Sequence, residues 1–557
     1  MRWSTLTAVL FAATPLVSAL GPDAACTAEY FNSIIPKEAH TTIVQYVPQD
    51  GSFGEVGDIA YPLAASILPA LCAVKVNVTT PQSIVTFGLM LPDNWNGRFL
   101  TVGNGGYTGG ANWVDMGAGA QYGFAVMSSD LGHNGTAEDG AWQWGNPELM
   151  VDWSHRGLHN SVVLSKQIIT KAYGLIPKYN YFMSCSNGGR QAMVESQMYP
   201  EDFDGIVAGA APWWYTREAV WVLKTRTTNL PADAAHNIPP ENVPFIIEAV
   251  AKQCDASDGL VDGIISEPNR CKLDIAAMGC DVLGTTNMSQ CLTPPQMETM
   301  QKIYSDYYEG DEMIYPGVEV GFEPRWLEMY GPRPAESFAS LFAGPLKDLY
   351  NQVSMALVIG EQAYGKRFNL DADNYDLSAF HARGGKFLSY HGWADQLIPP
   401  RASIHYYQNL RATMDAKGVN TTDFFRLMMI PGMGHCAGSL SHAPWYIAAG
   451  IQAWSEGTWI RSTPGYEFQK DYDILLKMMD WVENNQPIEK VIATEFKTGN
   501  LEALRQRPIC IYPKVAVYKG CGNVELEHNW ECRDPVGPEE GVGVGPNITQ
   551  GKRGWAY

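Results

Sequence analysis

After its first twenty residues the chain has no apolar run long enough to span a membrane, and it is short of positive charge. Thirty-nine lysines and arginines face 59 aspartates and glutamates, a formal net charge of -20 over 557 residues. The first shortage excludes a membrane-spanning helix in that stretch. The second sets the chain against phosphate backbones and anionic lipid, so neither nucleic acid nor a membrane is an expected partner. The apolar run that does exist lies at the start. Arg2 precedes Leu6 to Leu16, which ends at Val17-Ser18-Ala19. A basic flank, a short apolar stretch and small residues at a cleavage site describe a secretory signal over residues 1–19, with a mature, soluble, extracellular chain from Leu20. An oxidising compartment makes disulfides the default reading of the 11 cysteines, and the odd count leaves at least one unpaired. Sequons at Asn77, Asn134, Asn287, Asn420 and Asn547 fit the same route.

The mature chain opens with β-rich segments, Ala73 to Val78 and Ile84 to Leu91, the second closed by the turn-forming Pro-Asp-Asn-Trp-Asn-Gly97. Arg98 to Val102 leads into Gly103-Asn-Gly-Gly106, and Phe124 to Met127 is a further apolar strand. Leu158, Val162, Ser165, Ile169 and Ala172 then recur at helical steps until Gly174 and Pro177. The alternation continues through Tyr179-Asn-Tyr-Phe-Met-Ser-Cys-Ser-Asn-Gly-Gly-Arg190, a strand, sharp turn and helix, and through Gly205 to Ala211. This rhythm predicts an α/β fold around a mostly parallel sheet.

Ser186 stands at the sharp turn. In a nucleophile elbow its hydroxyl is held clear of the sheet, and the Asn187 N–H points from the helix start toward a developing anion. The usual G-x-S-x-G pattern is altered here, with Ser184 in place of the first glycine. A βα turn whose serine merely caps the helix is the alternative reading. Gly105 and Gly106 are the candidates for a second oxyanion donor, although a glycine loop is equally what a tight turn requires.

The rhythm lapses after Ala-Pro-Trp-Trp214 and returns near residue 385, which predicts an inserted domain over 214–384 between two halves of a catalytic domain, 20–213 and 385–535. Its many aromatic residues include Trp221, Trp326, Tyr330, Phe338, Phe342 and Tyr364. Within it, Asp255, Asp258 and Asp262 converge through turns at Gly259 and Gly263. Three close carboxylates repel unless a cation sits among them, and with the Leu260 and Ile264 carbonyls they form an oxygen set suited to calcium. The spacing is not that of an EF-hand, and an acidic loop built of Asx turns remains the other reading. Beyond Cys532 the glycine- and proline-rich 536–557 reads as a loose tail.

Two returning strands end in polar loops: Gly385 to Tyr390 before His391-Gly-Trp-Ala-Asp395, and Phe424 to Ile430 before Pro-Gly-Met-Gly-His-Cys436. Ser186, Asp395 and His435 thus occur in the chain order of an α/β-hydrolase triad. His435 would take the serine proton and Asp395 would orient the imidazole. His391 as base and Asp130 as acid are rivals. Cys185 precedes the candidate nucleophile and Cys436 follows the candidate base, so a bridge between them would bring Ser186 and His435 together.

Together Cys185-Ser186, Asp395 and His435-Cys436, with Tyr-Pro-Glu-Asp-Phe-Asp-Gly-Ile206, resemble the tannase and feruloyl esterase family of secreted serine esterases, over about Cys26 to Cys532. The resemblance implies an α/β-hydrolase fold with a large lid over the active site. It also implies a structural calcium at Asp255, Asp258, Leu260, Asp262 and Ile264, and no organic cofactor. The implied disulfides are Cys185–Cys436, Cys26–Cys72, Cys254–Cys271, Cys280–Cys291 and Cys510–Cys532, leaving Cys521 free. Gly103 to Gly106 and Ala211 to Trp214 look more like the feruloyl esterase branch, which implies aromatic ester substrates of the plant cell wall. Tannase-type esters are the nearer alternative. A calcium-stabilised wall-binding protein without catalysis is the distant one.

Overall fold

The computed structural model describes residues 26–79, 83–143, 146–331, 363, 365–455 and 462–535. The expected signal peptide and tail lie outside these residues, as do Phe338, Phe342 and Tyr364.

A nine-stranded mixed sheet organises the chain, from β1 (Ala39–Val47), β2 (Leu71–Thr79), β3 (Ile84–Pro92), β4 (Arg98–Thr101), β5 (Ala125–Ser129), β6 (Tyr179–Cys185), β7 (Gly205–Gly209), β8 (Lys386–Gly392) to β9 (Phe425–Ile430). Their spatial order is β1-β2-β3-β5-β4-β6-β7-β8-β9. From β5 to β9 neighbouring strands pair in parallel, while β1, β2 and β3 form an antiparallel edge that joins β5. Alternation along β6 sends Phe182 to one face and Tyr181 and Met183 to the other, and each face meets its own core. The principal helices are α1 (Trp113–Ala120), α2 (Gly157–Tyr173), α3 (Asn187–Met198), α4 (Tyr215–Thr228) and α5 (Arg401–Asp415). Gly174, at φ 71°, ends α2 in the left-handed conformation where the sequence predicts a stop.

A third core gathers Val220, Trp221, Ile246, Met300, Tyr304, Trp326 and their neighbours from the 214–331 segment. Its described regular structure consists of helices, short 3-10 turns and a hairpin pairing Tyr307–Glu309 with Glu312–Tyr315. Trp221, Trp326 and Tyr330 fill this core. Buried Arg401, opening α5, ties the segment to the sheet through ion pairs of 2.5 Å to both Asp306 and Glu319. Five disulfides form, Cys26–Cys72, Cys185–Cys436, Cys254–Cys271, Cys280–Cys291 and Cys510–Cys532, and Cys521 is free and exposed. No helix among the described residues is long and apolar enough to cross a membrane.

Candidate active site

Strand β6 delivers Ser186 to the carboxyl end of the sheet with φ 62° and ψ -130°, a strained turn between strand and helix. The turn closes because its neighbours are small. A Cβ on Gly188 would stand 2.0 Å from Ser184 Oγ, and one on Gly189 would stand 2.4 Å from the Gly209 carbonyl oxygen. Ser184 therefore fits where the elbow pattern has glycine, since its hydroxyl occupies the space that Gly188 leaves open. Arg190, fully buried in the first turn of α3, donates to Asn187 Oδ1 at 2.8 Å and to the carbonyls of Ser154 and Leu370 at 3.3 and 3.2 Å. Its guanidinium also lies 4.3 Å from the Trp153 ring centre, and burial lowers its pKa to about 10. Arg190 and its partner Asn187 sit inside the motif quoted for the elbow, but the carbonyls of Ser154 and Leu370 lie far off in sequence and gave no signal.

The loops after β8 and β9 bring the other two groups. The Ser186 hydroxyl donates to His435 Nε2 at 2.9 Å, and His435 Nδ1–H donates to Asp395 Oδ2 at 2.8 Å. Asp395 Oδ1 accepts from the Leu397 and Ile398 N–H groups, both at 2.9 Å. Burial alone would push the Asp395 carboxyl up, but the charge of His435 and the hydrogen bonds from His391 and His435 hold it well below the usual carboxylate range. The Cys185–Cys436 bridge, with Cα atoms 5.9 Å apart, fastens the two loops beside this chain of hydrogen bonds.

The residue after His435, Cys436, is held at φ 66°. Fully buried Gln452 braces it, donating to the Cys436 carbonyl at 3.4 Å and accepting from the Ile447 and Ala449 N–H groups. From the 214–331 segment, Arg325 packs against Gly434 and Gly438 and pairs with Glu328 at 3.0 Å. Neither brace was visible in the sequence, because each joins segments with no shared motif.

The two rivals are set apart by their surroundings. His391 is buried under Asp395, with Nε2 3.1 Å from its Oδ2, rather than beside Ser186. Asp130 Oδ1 accepts from the Thr86 and Gly132 N–H groups at 2.8 and 2.7 Å, tying a turn after β5. Burial raises its pKa to about 7.

A cavity of about 500 Å³ opens over Ser186 and His435, a size suited to a small organic ligand. Leu63, Val114, Leu397 and Ile451 give it apolar walls, and Gly105 and Gly106 line it. A Cβ on Gly105 would meet nothing within 4 Å, so its backbone faces open space, whereas Gly106, at φ 53°, packs against Ala137. Both candidates line the cavity, and Gly105 has the more open surroundings. Asn187 follows Ser186 as the first residue of α3.

Elsewhere, Asp255 Oδ1 accepts from Asp262 N–H at 3.3 Å and Gly263 N–H at 3.1 Å, Asp258 Oδ1 from Leu260 N–H at 3.0 Å, and Asp262 Oδ1 from Ile264 N–H at 3.1 Å. Asp262 Oδ2 is paired with Arg507. Burial pushes the Asp258 carboxyl up, backbone hydrogen bonds pull it down, and the nearby charge of Asp262 adds to the rise. A different group, His159, Glu195 and Asp202, has donor atoms all within 4.8 Å of one another, and none of the expected calcium residues belongs to it.

The family model for tannase and feruloyl esterase matches residues 72–333 and 363–533. The chain belongs to the tannase and feruloyl esterase family. Among curated members, feruloyl esterase B of Aspergillus niger is 30% identical over 516 residues, 90% of this chain and 95% of the relative. The solved structure of feruloyl esterase B from Aspergillus oryzae, at 29% identity, covers 92% of this chain and 99% of its own with a TM-score of 0.82. Tannin acyl hydrolase from Aspergillus niger shares the family's fold, with a TM-score of 0.68 at 19% identity over 94% of this chain and 97% of its own. The fold is the α/β-hydrolase architecture expected of the family, with an antiparallel edge added to the parallel strands.

Proposed function

We propose that the protein is a secreted serine esterase that releases hydroxycinnamic acids from aromatic esters of the plant cell wall. The hydrogen-bonded chain from Ser186 through His435 to Asp395, at the floor of a cavity with apolar walls, carries the reading. The similarity to feruloyl esterase B relatives over nine-tenths of the chain supports the acyl group.

In this reading Ser186 Oγ attacks the ester carbonyl while His435 Nε2 takes its proton. Asp395 holds Nδ1–H toward itself, which fixes the tautomer and stabilises the imidazolium. The tetrahedral oxyanion lies against the N–H groups of Asn187 and Gly105. His435 then protonates the departing alcohol, giving an acyl-enzyme, and activates the water that releases the acid. The 214–384 segment acts as the lid, and the leader at 1–19 together with five disulfides supports an extracellular destination. The Asp255, Asp258 and Asp262 carboxylates with the Leu260 and Ile264 carbonyls are a hard-oxygen set that fits a structural calcium, which would relieve the repulsion between Asp258 and Asp262.

Hydrolysis of methyl ferulate, methyl caffeate, methyl p-coumarate and methyl gallate, each beside Ser186→Ala, tests the assignment. Cinnamate turnover lost in the variant is the expected result. Turnover of gallate alone would move the substrate to tannin-type esters, and turnover by Ser186→Ala at the wild-type rate would refute the mechanism.

A further inference from the structure

Asp395 Oδ2 serves two imidazoles. His435 Nδ1 lies 2.8 Å from it and His391 Nε2 lies 3.1 Å from it. His391 Nε2 is also 2.9 Å from the Ile398 carbonyl oxygen. A ring nitrogen between two acceptors must carry the hydrogen, so Nε2–H donates whatever the charge of the ring. The other nitrogen, Nδ1, meets Ser403 Oγ of α5 at 2.7 Å, which fixes the ring plane from the opposite side. His391 and Asp395 are both 0% exposed, so no water replaces either contact.

We propose that His391 is a positioning residue for the triad: its Nε2–H aims the shared Asp395 oxygen and takes up part of its charge, and so limits the basicity of His435. The inference rests on the catalytic reading of Ser186, His435 and Asp395. Without the His391 donor, Asp395 directs its charge to His435 alone and the imidazolium is favoured, which moves the acid limb of the pH profile upward. The other charged and titratable groups around the pair do not produce that change. Burial and then the charge of Asp395 raise the Glu218 carboxyl on α4 to about 8, so it is neutral across the acid limb. The Tyr315 phenol is pushed well up by burial, Arg325 against the His435 loop is paired with Glu328, and Arg401 near the start of α5 is paired with Asp306 and Glu319.

The test reads both kcat and KM for methyl ferulate and the pH dependence of labelling by a fluorophosphonate, which needs the serine and its base but no particular ester. For His391→Leu we expect kcat to fall by roughly 10- to 100-fold with KM within about twofold, as for a displaced catalytic group. The acid limb of both profiles should rise by about half a pH unit or more. His391→Gln, whose amide N–H reaches toward the same oxygen, should restore most of kcat and return the limb. Ser403→Ala, which leaves His391 in place, should move the limb the same way by less, and it carries the test if His391→Leu does not fold. An unmoved limb in a folded His391→Leu or Ser403→Ala protein, or His391→Gln no better than His391→Leu, overturns the proposal. Wild-type protein that is not labelled at all overturns the triad itself, and labelling without ferulate turnover corrects only the substrate.

Discussion

Removing the Cys185–Cys436 bridge as the pair Cys185→Ala, Cys436→Ala should cost both stability and rate, and the two losses are separable. The bridge closes a loop with a sequence separation of 251, for which the chain-entropy relation gives about 5.5 kcal/mol. Bridges Cys254–Cys271 and Cys280–Cys291 lie inside that loop but shorten it little, so the figure stands near its upper value. Adjustment of the native loops reduces what is measured, and we expect a loss of about 3 to 5 kcal/mol. The effect on rate has a local origin. Ser186 and Cys436 are both held at positive φ, at 62° and 66°, conformations that cost about 1–3 kcal/mol each and persist only under constraint. Release lets the His435 loop relax away from Ser186, and a displacement of about 1 Å costs on the order of 100-fold in kcat. Equilibrium unfolding in urea measures the first loss, and kcat on methyl ferulate under conditions where the variant is fully folded measures the second. A folded variant within about 1 kcal/mol of wild type and with undiminished kcat would show that neither argument holds.

Burial holds the Glu218 carboxyl near 8 in the folded chain, against about 4.3 when unfolded, so its contribution to stability falls as pH rises between those values. Glu218→Gln should therefore stabilise the fold more at pH 8 than at pH 5, by about 1 to 2 kcal/mol at pH 8, less than full linkage because the side chain is half-buried, and the gain is read as a higher melting temperature. An equal gain at both pH values would contradict this. Chelation of calcium by EDTA should lower the melting temperature, added calcium should restore it, and Asp258→Asn should blunt both responses. A metal-free preparation with an unchanged melting curve would remove the cation from the account.

Much of the site was legible because its chemistry lies next to punctuation in the chain. Ser186, Asp395 and His435 each follow the end of an apolar strand, and the flanking cysteines announce which two loops meet. Hydrophobic alternation located β2 to β9 within about two residues but missed β1, and it carries no direction, so the antiparallel edge of β1, β2 and β3 emerged only in space. The braces were hidden for a related reason. Gln452, Arg325 and Arg190 reach distant segments through backbone carbonyls, which every residue possesses, so no side chain in those segments marks the contact. His391 was legible only as a rival to His435, since its burial beneath Asp395 emerges only in space.

The same bridge that joins the two loops also makes a covalent ring of everything between Cys185 and Cys436, including α4 and the third core. A single proteolytic nick anywhere in that ring leaves both fragments linked at the point where Ser186 meets His435. Nicked protein should run as one species on a non-reducing gel and as two after reduction, and its hydrolytic centre stays tethered even when the backbone is no longer continuous.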